Sequence, residues 1–362
     1  MTSQDFDALL DDFRERCDRQ LRTWMTQRKQ RAIETGTDAI ELVETIERLV
    51  NSGGKRLRPS LVWFGHAACH GSDEDAAVLM AAACEFLHTY LLIHDDIMDH
   101  ADTRRGQTTA HIEYRDLHRK REWFGDATDY GASAAILAGD LAWSWAAELA
   151  ALAVAGMPPE RARSLTSRFF GMTEEVIFGQ HHEMRIAVRK AASAETLGRA
   201  LRLKSGCYSV MRPLQLGAHL AKAGEDVVEA LSTYGNALGE AFQLVDDLLG
   251  MFGDPSSVGK PVGGDLVEGK FTFIIHEALL NASESERQTI LDRLGDASLS
   301  PELISETCGM IDGLGGRAGV EAMIEERMTV ARDALAAASP HLRADGRTFL
   351  EGLIRYVVDR QA

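Results

Sequence analysis

The chain has 362 residues and a net charge of −16, from 39 Lys and Arg against 55 Asp and Glu. That balance argues against a nucleic-acid partner, which needs a basic footprint, but leaves room for a small phosphate ligand held by local basic clusters. The five cysteines (Cys17, Cys69, Cys84, Cys207 and Cys308) are scattered and form no CxxC pair, which argues against a thiolate metal site and fits a reducing, cytoplasmic setting.

Length alone allows two domains, yet no linker, low-complexity stretch or fixed-period repeat divides the chain. Prolines number only 8, and long Ala/Leu/Glu/Arg-rich segments dominate, so an all-α protein is expected. The first twenty residues are acidic and amphipathic, unlike a signal peptide, and open a polar helix over 4–30. A second helix, 38–50, stops at Asn51-Ser52-Gly53-Gly54, where glycines break the helix and let backbone approach a ligand. Lys55-Arg56-Leu57-Arg58-Pro59 follows, with Pro59 suited to a first helical turn. Gly71-Ser72-Asp73 caps a helix over 74–99 that is apolar nearly all round.

Residues 100–130 are rich in Arg, His and Asp and read as a mobile or short-helical surface segment. Helices are expected over 132–154, 160–190, 194–221 and 226–251, with Pro213 kinking the third. The stretch 131–156 is apolar enough to resemble a membrane span. Asp140 and Glu148 interrupt it, so a buried core helix is expected instead, and no transmembrane segment. A Gly/Pro-rich loop over 253–265 precedes helices over 268–281, 284–294, 301–312, 315–337 and 342–360. No strand signal of any strength is present.

Two aspartate pairs carry the chemistry. Asp95-Asp96 lies in HDDIMDHADTRRG, with Asp99, Arg104 and Arg105 close behind. Residues 85, 88, 92, 95 and 99 share one helical face, so Glu85, His88, Asp95 and Asp99 align, with Asp96 on the same rim. Asp246-Asp247 lies in FQLVDDLLG, where Glu240 and Gln243 share its face and Gly250 is the next rung. Gathered carboxylates cannot all stay ionised unaided. Magnesium suits them, since it binds a few carboxylates together with substrate phosphate oxygens. The cations Lys55, Arg56, Arg58, Arg104, Arg105, Lys204, Lys260 and Lys270 are expected to hold the remaining phosphate charge. The plain alternative is a pair of solvated acidic helix ends. Lys204 and Lys270 taken alone read as ordinary surface lysines, and His88 as a core histidine. GxSxG, HExxH, P-loop and GxGxxG signatures are all missing, and the adjacent His181 and His182 diverge by about 100° on a helix.

GGKRLRP, EFLHTYLLIHDDIMDHADTRRG, Gly179-Gln180, Lys204-Ser205, FQLVDDLLG and GKPVGGDLVEGKFT occur in order. Together they closely resemble the trans-isoprenyl diphosphate synthases, or polyprenyl synthetases, over about residues 40–360. The resemblance implies an all-α, single-domain bundle of long antiparallel helices around a deep central cavity. That domain would span 1–362, with 1–37 a peripheral N-terminal helix region. It also implies a homodimer that condenses isopentenyl diphosphate with allylic diphosphates. Two aspartate motifs would face each other and bind Mg2+: Asp95, Asp96 and Asp99 in the first, Asp246 and Asp247 in the second. Arg104, Lys204, Ser205, Gln243, Lys260 and Lys270 would contact the allylic diphosphate. Lys55, Arg58, His88 and Arg105 would hold isopentenyl diphosphate.

The chain departs from the family pattern at three places. Gly250 stands where a third aspartate is usual, Ser205 where threonine is commoner, and Glu183 where aspartate is commoner. Tyr90 and Leu91, five and four residues before Asp95, resemble the pattern of a geranylgeranyl-forming type and are the expected chain-length residues. Farnesyl or longer products, and a non-catalytic subunit of a heteromeric synthase, are the neighbouring readings. A terpene cyclase would lack the isopentenyl diphosphate site that GGKRLRP and Arg105 imply. A plain helical interaction protein would leave the clustered charges unexplained.

Overall fold

The computed structural model describes residues 3–36, 38–253 and 263–359. Among them the secondary structure is helical but for one two-stranded ribbon, so the chain is all-α. The residues divide into two compact units, Thr2–Ser167 with Leu216–Lys222, and Arg168–Gln215 with Ala223–Ala362.

The first unit contains α1 (Ser3–Thr35), α2 (Ala39–Val50), α3 (Leu57–Ala68), α4 (Glu74–Met98), α5 (Ala110–Lys120) and α6 (Ala127–Val154). It also holds the start of α7 (Pro159–Arg189). Helix α4 is its centre and packs against α1, α2, α3, α5 and α6. The Asp73 carboxylate caps it by accepting from the Ala76 amide at 3.0 Å, and no glycine or proline interrupts its 25 residues. Residues 81–87 are buried on every side, as expected from their composition. Helix α6 approaches α4 closely because Ala135, Ala138, Ala142 and Ala146 line its inner face, and Trp145 meets Phe86 edge-on at 5.5 Å. Both α4 and α6 are long and apolar enough to cross a membrane, by length and composition alone. Here they pack on each other. Helix α1, expected to be peripheral, buries Phe13, Cys17, Leu21 and Met25 and touches α2, α3 and α4.

The polar 100–130 segment contains more order than its composition suggests. Strands β1 (Thr103–Arg104) and β2 (Gln107–Thr108) pair antiparallel across Arg105 and Gly106, both left-handed at φ 52° and 73°. Two consecutive positive-φ residues make the tight hairpin turn whose twist matches the strands. Helix α5 then completes the segment.

The helix expected over 194–221 divides into α8 (Ala194–Leu201) and a π-helix over Arg202–Met211, both in the second unit, and α9 (Arg212–Leu220), which belongs to the first unit from Leu216 on. Pro213 lacks an N–H, and its ring crowds the carbonyl four residues back; the wider turn ends just before it. The distortion thus falls upstream of Pro213. Helix α10 (Glu225–Phe252) packs against this π-helix. Contact is close enough that a Cβ on Gly239 would lie 2.6 Å from the Gly206 carbonyl oxygen.

The remaining helices are α11 (Gly264–Val267), α12 (Phe273–Asn281), α13 (Glu284–Arg293), α14 (Pro301–Gly313), α15 (Gly316–Ala338) and α16 (Ala344–Asp359). Helix α12 begins five residues later than expected, because Gly269 is left-handed at φ 77° and Thr272 is extended.

Candidate active site

Helix α4 delivers the first carboxylate cluster at its C-terminal end, where backbone carbonyls already concentrate negative potential. Asp95 lies in the last turn, and Asp99 caps the helix with its amide donating to the Asp95 carbonyl at 2.8 Å. The hairpin brings Arg104 back to this end. Its Nε donates to Asp96 Oδ1 at 2.6 Å and its Nη2 to Asp95 Oδ2 at 3.3 Å. Asp96 is only 1% exposed. Its carboxylate therefore turns inward to Arg104, and Asp95 and Asp99 are the better-placed oxygen donors. Burial pushes the Asp96 carboxyl up to about 6, Arg104 opposes this, and Asp95 and Asp99 add to it.

The glycine turn after α2 forms a basic group beside the same helix. Arg56, left-handed at φ 55°, points into the protein and is 6% exposed. It donates to Asp18 Oδ1 at 2.8 Å, Glu85 Oε1 at 2.6 Å and the Val50 carbonyl at 2.7 Å. Removing one partner of such a buried ion pair costs about 3–5 kcal/mol. Arg56 thus anchors the turn to α1, α2 and α4, a role that no spacing in the sequence announces. A Cβ on Gly54 would lie 3.1 Å from Arg56 Nη1 and 3.2 Å from Arg105 Nη1, so glycine gives these guanidinium groups room. Arg58 Nη1 reaches His88 Nε2 at 3.4 Å. Burial first, then Arg58, Arg105 and Arg104, hold His88 well below the usual histidine range, so its neutral ring accepts from Arg58. The structure therefore brings Arg58, His88 and Arg105 together, with Lys55 on the same turn.

Chain-length candidates Tyr90 and Leu91 lie one turn before Asp95. Tyr90 meets His94 edge-on at 4.7 Å and Trp143 of α6 in a tilted contact at 6.0 Å.

The second unit holds the other cluster, near the C-terminal end of α10. The Ser205 hydroxyl donates to Gln243 Oε1 at 2.8 Å, and Gln243 Nε2 donates to Asp247 Oδ1 at 2.8 Å. This chain orients Asp247. Burial pushes its carboxyl up to about 8, Asp265 raises it further, and Gln243 draws it down. Lys204 pairs with Glu183 at 2.6 Å. A Cβ on Gly179 would lie 2.7 Å from Lys204 Cα, so glycine lets α7 approach the π-helix that carries Lys204. Lys270 pairs with Glu268 at 2.6 Å and with Asp265 at 3.5 Å. Asp265 was not among the expected site residues. Its place in GKPVGGD, shortly after the second motif, was the available signal. Glu240, on the same helical face, is 6% exposed and paired with Arg202 and Arg327, so it has a structural role. Lys260 lies outside the described residues.

Both clusters offer hard carboxylate oxygens, a donor type suited to magnesium. Among the described residues no three His, Cys, Asp or Glu side chains form a ready-made metal cage.

The pattern of the Polyprenyl synthetase family matches residues 40–311. A geranylgeranyl diphosphate synthase of Sulfolobus acidocaldarius is 34% identical over 76% of this chain and 78% of its own length. A geranylfarnesyl diphosphate synthase of Aeropyrum pernix is 31% identical over 86% and 92%. Among solved structures, a Corynebacterium glutamicum geranylgeranyl pyrophosphate synthase, complexed with isoprenyl diphosphate and magnesium, superposes with a TM-score of 0.88. It is 32% identical, with 98% of this chain and 99% of that chain covered. The chain belongs to the polyprenyl synthetase family and is a trans-prenyltransferase of isoprenoid diphosphates.

Proposed function

We propose that this prenyltransferase is magnesium-dependent, extends an allylic diphosphate with isopentenyl diphosphate, and releases mainly geranylgeranyl diphosphate. The observation that carries this reading is the pair of carboxylate clusters at helix C-terminal ends, each with fixed cations beside it. The metal in the related Corynebacterium glutamicum structure supports the choice of ion.

Asp95, Asp99 and Asp246 would hold the ions, with Asp96 positioning Arg104 and Asp247 held by Gln243. When bound, magnesium supplies positive charge to the leaving diphosphate. Arg104, Lys204 and Lys270 neutralise the rest of that charge, aided by Lys260, as the allylic C–O bond breaks and its electron pair leaves with the diphosphate. Ser205 and Gln243 orient the leaving group. Lys55, Arg58, His88 and Arg105 hold isopentenyl diphosphate so that its double bond attacks the allylic carbon. A new C–C bond forms, and a proton is lost to the departing pyrophosphate. His88, kept neutral, receives a hydrogen bond from Arg58 and does not add charge. Water would capture the allylic cation, so apolar surface beside Asp95, such as Leu91 and Leu92, has to keep it dry.

We further infer a cytoplasmic homodimer. Free, buried cysteines fit a reducing compartment. Ile136, Leu137 and Leu152 leave apolar surface exposed along α6 at 43%, 58% and 46%. Light scattering should give twice the mass of the chain; a monomer at working concentration contradicts the dimer.

Chelating magnesium should abolish turnover, and Asp95→Ala should lower it by orders of magnitude with helix content unchanged by circular dichroism. Near-normal turnover in that variant would remove the metal assignment. Lys55→Ala or Arg58→Ala should mainly raise KM for isopentenyl diphosphate, and Lys204→Ala should mainly impair the allylic substrate. A lost charge-assisted contact is worth about 1.5–3 kcal/mol, or about 10- to 150-fold. Equal effects on both substrates would contradict the division.

Product length should depend on Tyr90, since the growing chain would run from Asp95 toward the α4 N-terminus at about 5.4 Å per turn. Small residues at Ala81, Ala82 and Ala83 lie beyond it. Chromatography of the products should show geranylgeranyl diphosphate from the native enzyme and longer chains from Tyr90→Ala. An unchanged distribution would place the floor elsewhere, and a native farnesyl or much longer product would reject the length assignment.

A further inference from the structure

We propose that Asp265 supplies to the second cluster the carboxylate that its motif lacks at Gly250, acting with Asp246 toward a divalent cation and its diphosphate. This rests on reading that cluster as a cation site.

The steric argument starts at Gly250, one helical turn after Asp246. A side chain there would begin inside the Asp265 carboxyl group: its Cβ would lie 2.6 Å from Asp265 Cγ and 2.9 Å from Oδ1. Real Cβ atoms do not approach that closely, so the carboxylate of Asp265 fills the space a third motif side chain would enter. Glycine at 250 and aspartate at 265 thus form one arrangement, with the charge delivered from the neighbouring turn.

That turn is fastened to α10. The Gly263 amide donates to the Met251 carbonyl at 3.2 Å, and the Lys270 amide donates to the Asp265 carbonyl at 2.9 Å. The Asp265 side chain is 9% exposed, so its position is well defined. Lys270 lies closer to Glu268, at 2.6 Å against 3.5 Å. Asp265 is also close enough to Asp247 to raise that carboxyl. Asp265 thus lies beside Asp247 in the second cluster, one carboxylate more than the motif itself carries.

The test is calorimetric titration of magnesium into the full chain in the presence of inorganic pyrophosphate, with no turnover required. Asp265→Ala should raise the magnesium concentration for half-saturation by about 10- to 150-fold, the range for one charge-assisted contact. Asp265→Asn, which keeps the shape, should do the same if the alanine variant folds poorly. Gly250→Asp alone should bind magnesium no better than the parent, because the two side chains compete for one space. The exchange Gly250→Asp with Asp265→Ala should recover most of the loss. If Asp246→Ala weakens binding while Asp265→Ala and Asp265→Asn leave it unchanged, the role of Asp265 is overturned and the cation site stands. If Asp246→Ala also changes nothing, the reading of the cluster itself fails. Tighter binding by Gly250→Asp would also contradict the shared space.

Discussion

Two groups of carboxylates at the C-terminal ends of buried helices are the constraint on which the rest of this structure depends. Each adds negative charge where the helix already presents unpaired carbonyls. Asp96 and Asp247 register the cost, with burial moving both carboxyls well above the ordinary aspartate range. Such groups persist only where cations or hydrogen-bond donors are fixed beside them. Arg104 does this for Asp95 and Asp96, Gln243 for Asp247 and Lys270 for Asp265. In the proposed reading, magnesium and a diphosphate would add to these partners.

Local backbone devices set the positions of these counter-charges. The Arg105-Gly106 turn folds Arg104 back onto the end of α4. The buried Arg56 knot ties the glycine turn to Asp18 and Glu85, beside which Arg58 and Arg105 are placed. The π-helix presents Lys204 and Ser205 where Gly179 and Gly239 allow close packing. Departures from regular geometry coincide with the charged residues, as expected where chemistry competes with ideal packing.

Much of this was legible in the sequence. Helix α4 was readable from its cap at Asp73 and its continuous apolar run, and the aspartates followed from three- and four-residue spacing. The all-α class followed from composition. Less visible were features that depend on partners distant in the chain. Arg56 and Arg58 look alike in the sequence, yet one is locked inside by Asp18 and Glu85 while the other reaches His88. Asp96 and Asp99 look equivalent, but Asp96 is buried against Arg104 while Asp99 is exposed. The hairpin at 103–108 was missed because its strands are two residues each, too short for any alternation; only Arg-Gly between them hints at the turn. Pro213 signals a distortion in the sequence, but not that it takes the form of a π-helix upstream, over Arg202–Met211. The gap at Gly250 was visible, but the carboxylate filling it comes from Asp265.

The charge-compensation account is tested most directly by crystals grown with manganese and pyrophosphate, examined for anomalous scattering from the metal. The account predicts manganese coordinated by Asp95 or Asp99 and by Asp246, with pyrophosphate oxygens completing each shell at about 2 Å. Pyrophosphate held by arginine and lysine alone, with no metal at either cluster, would contradict it.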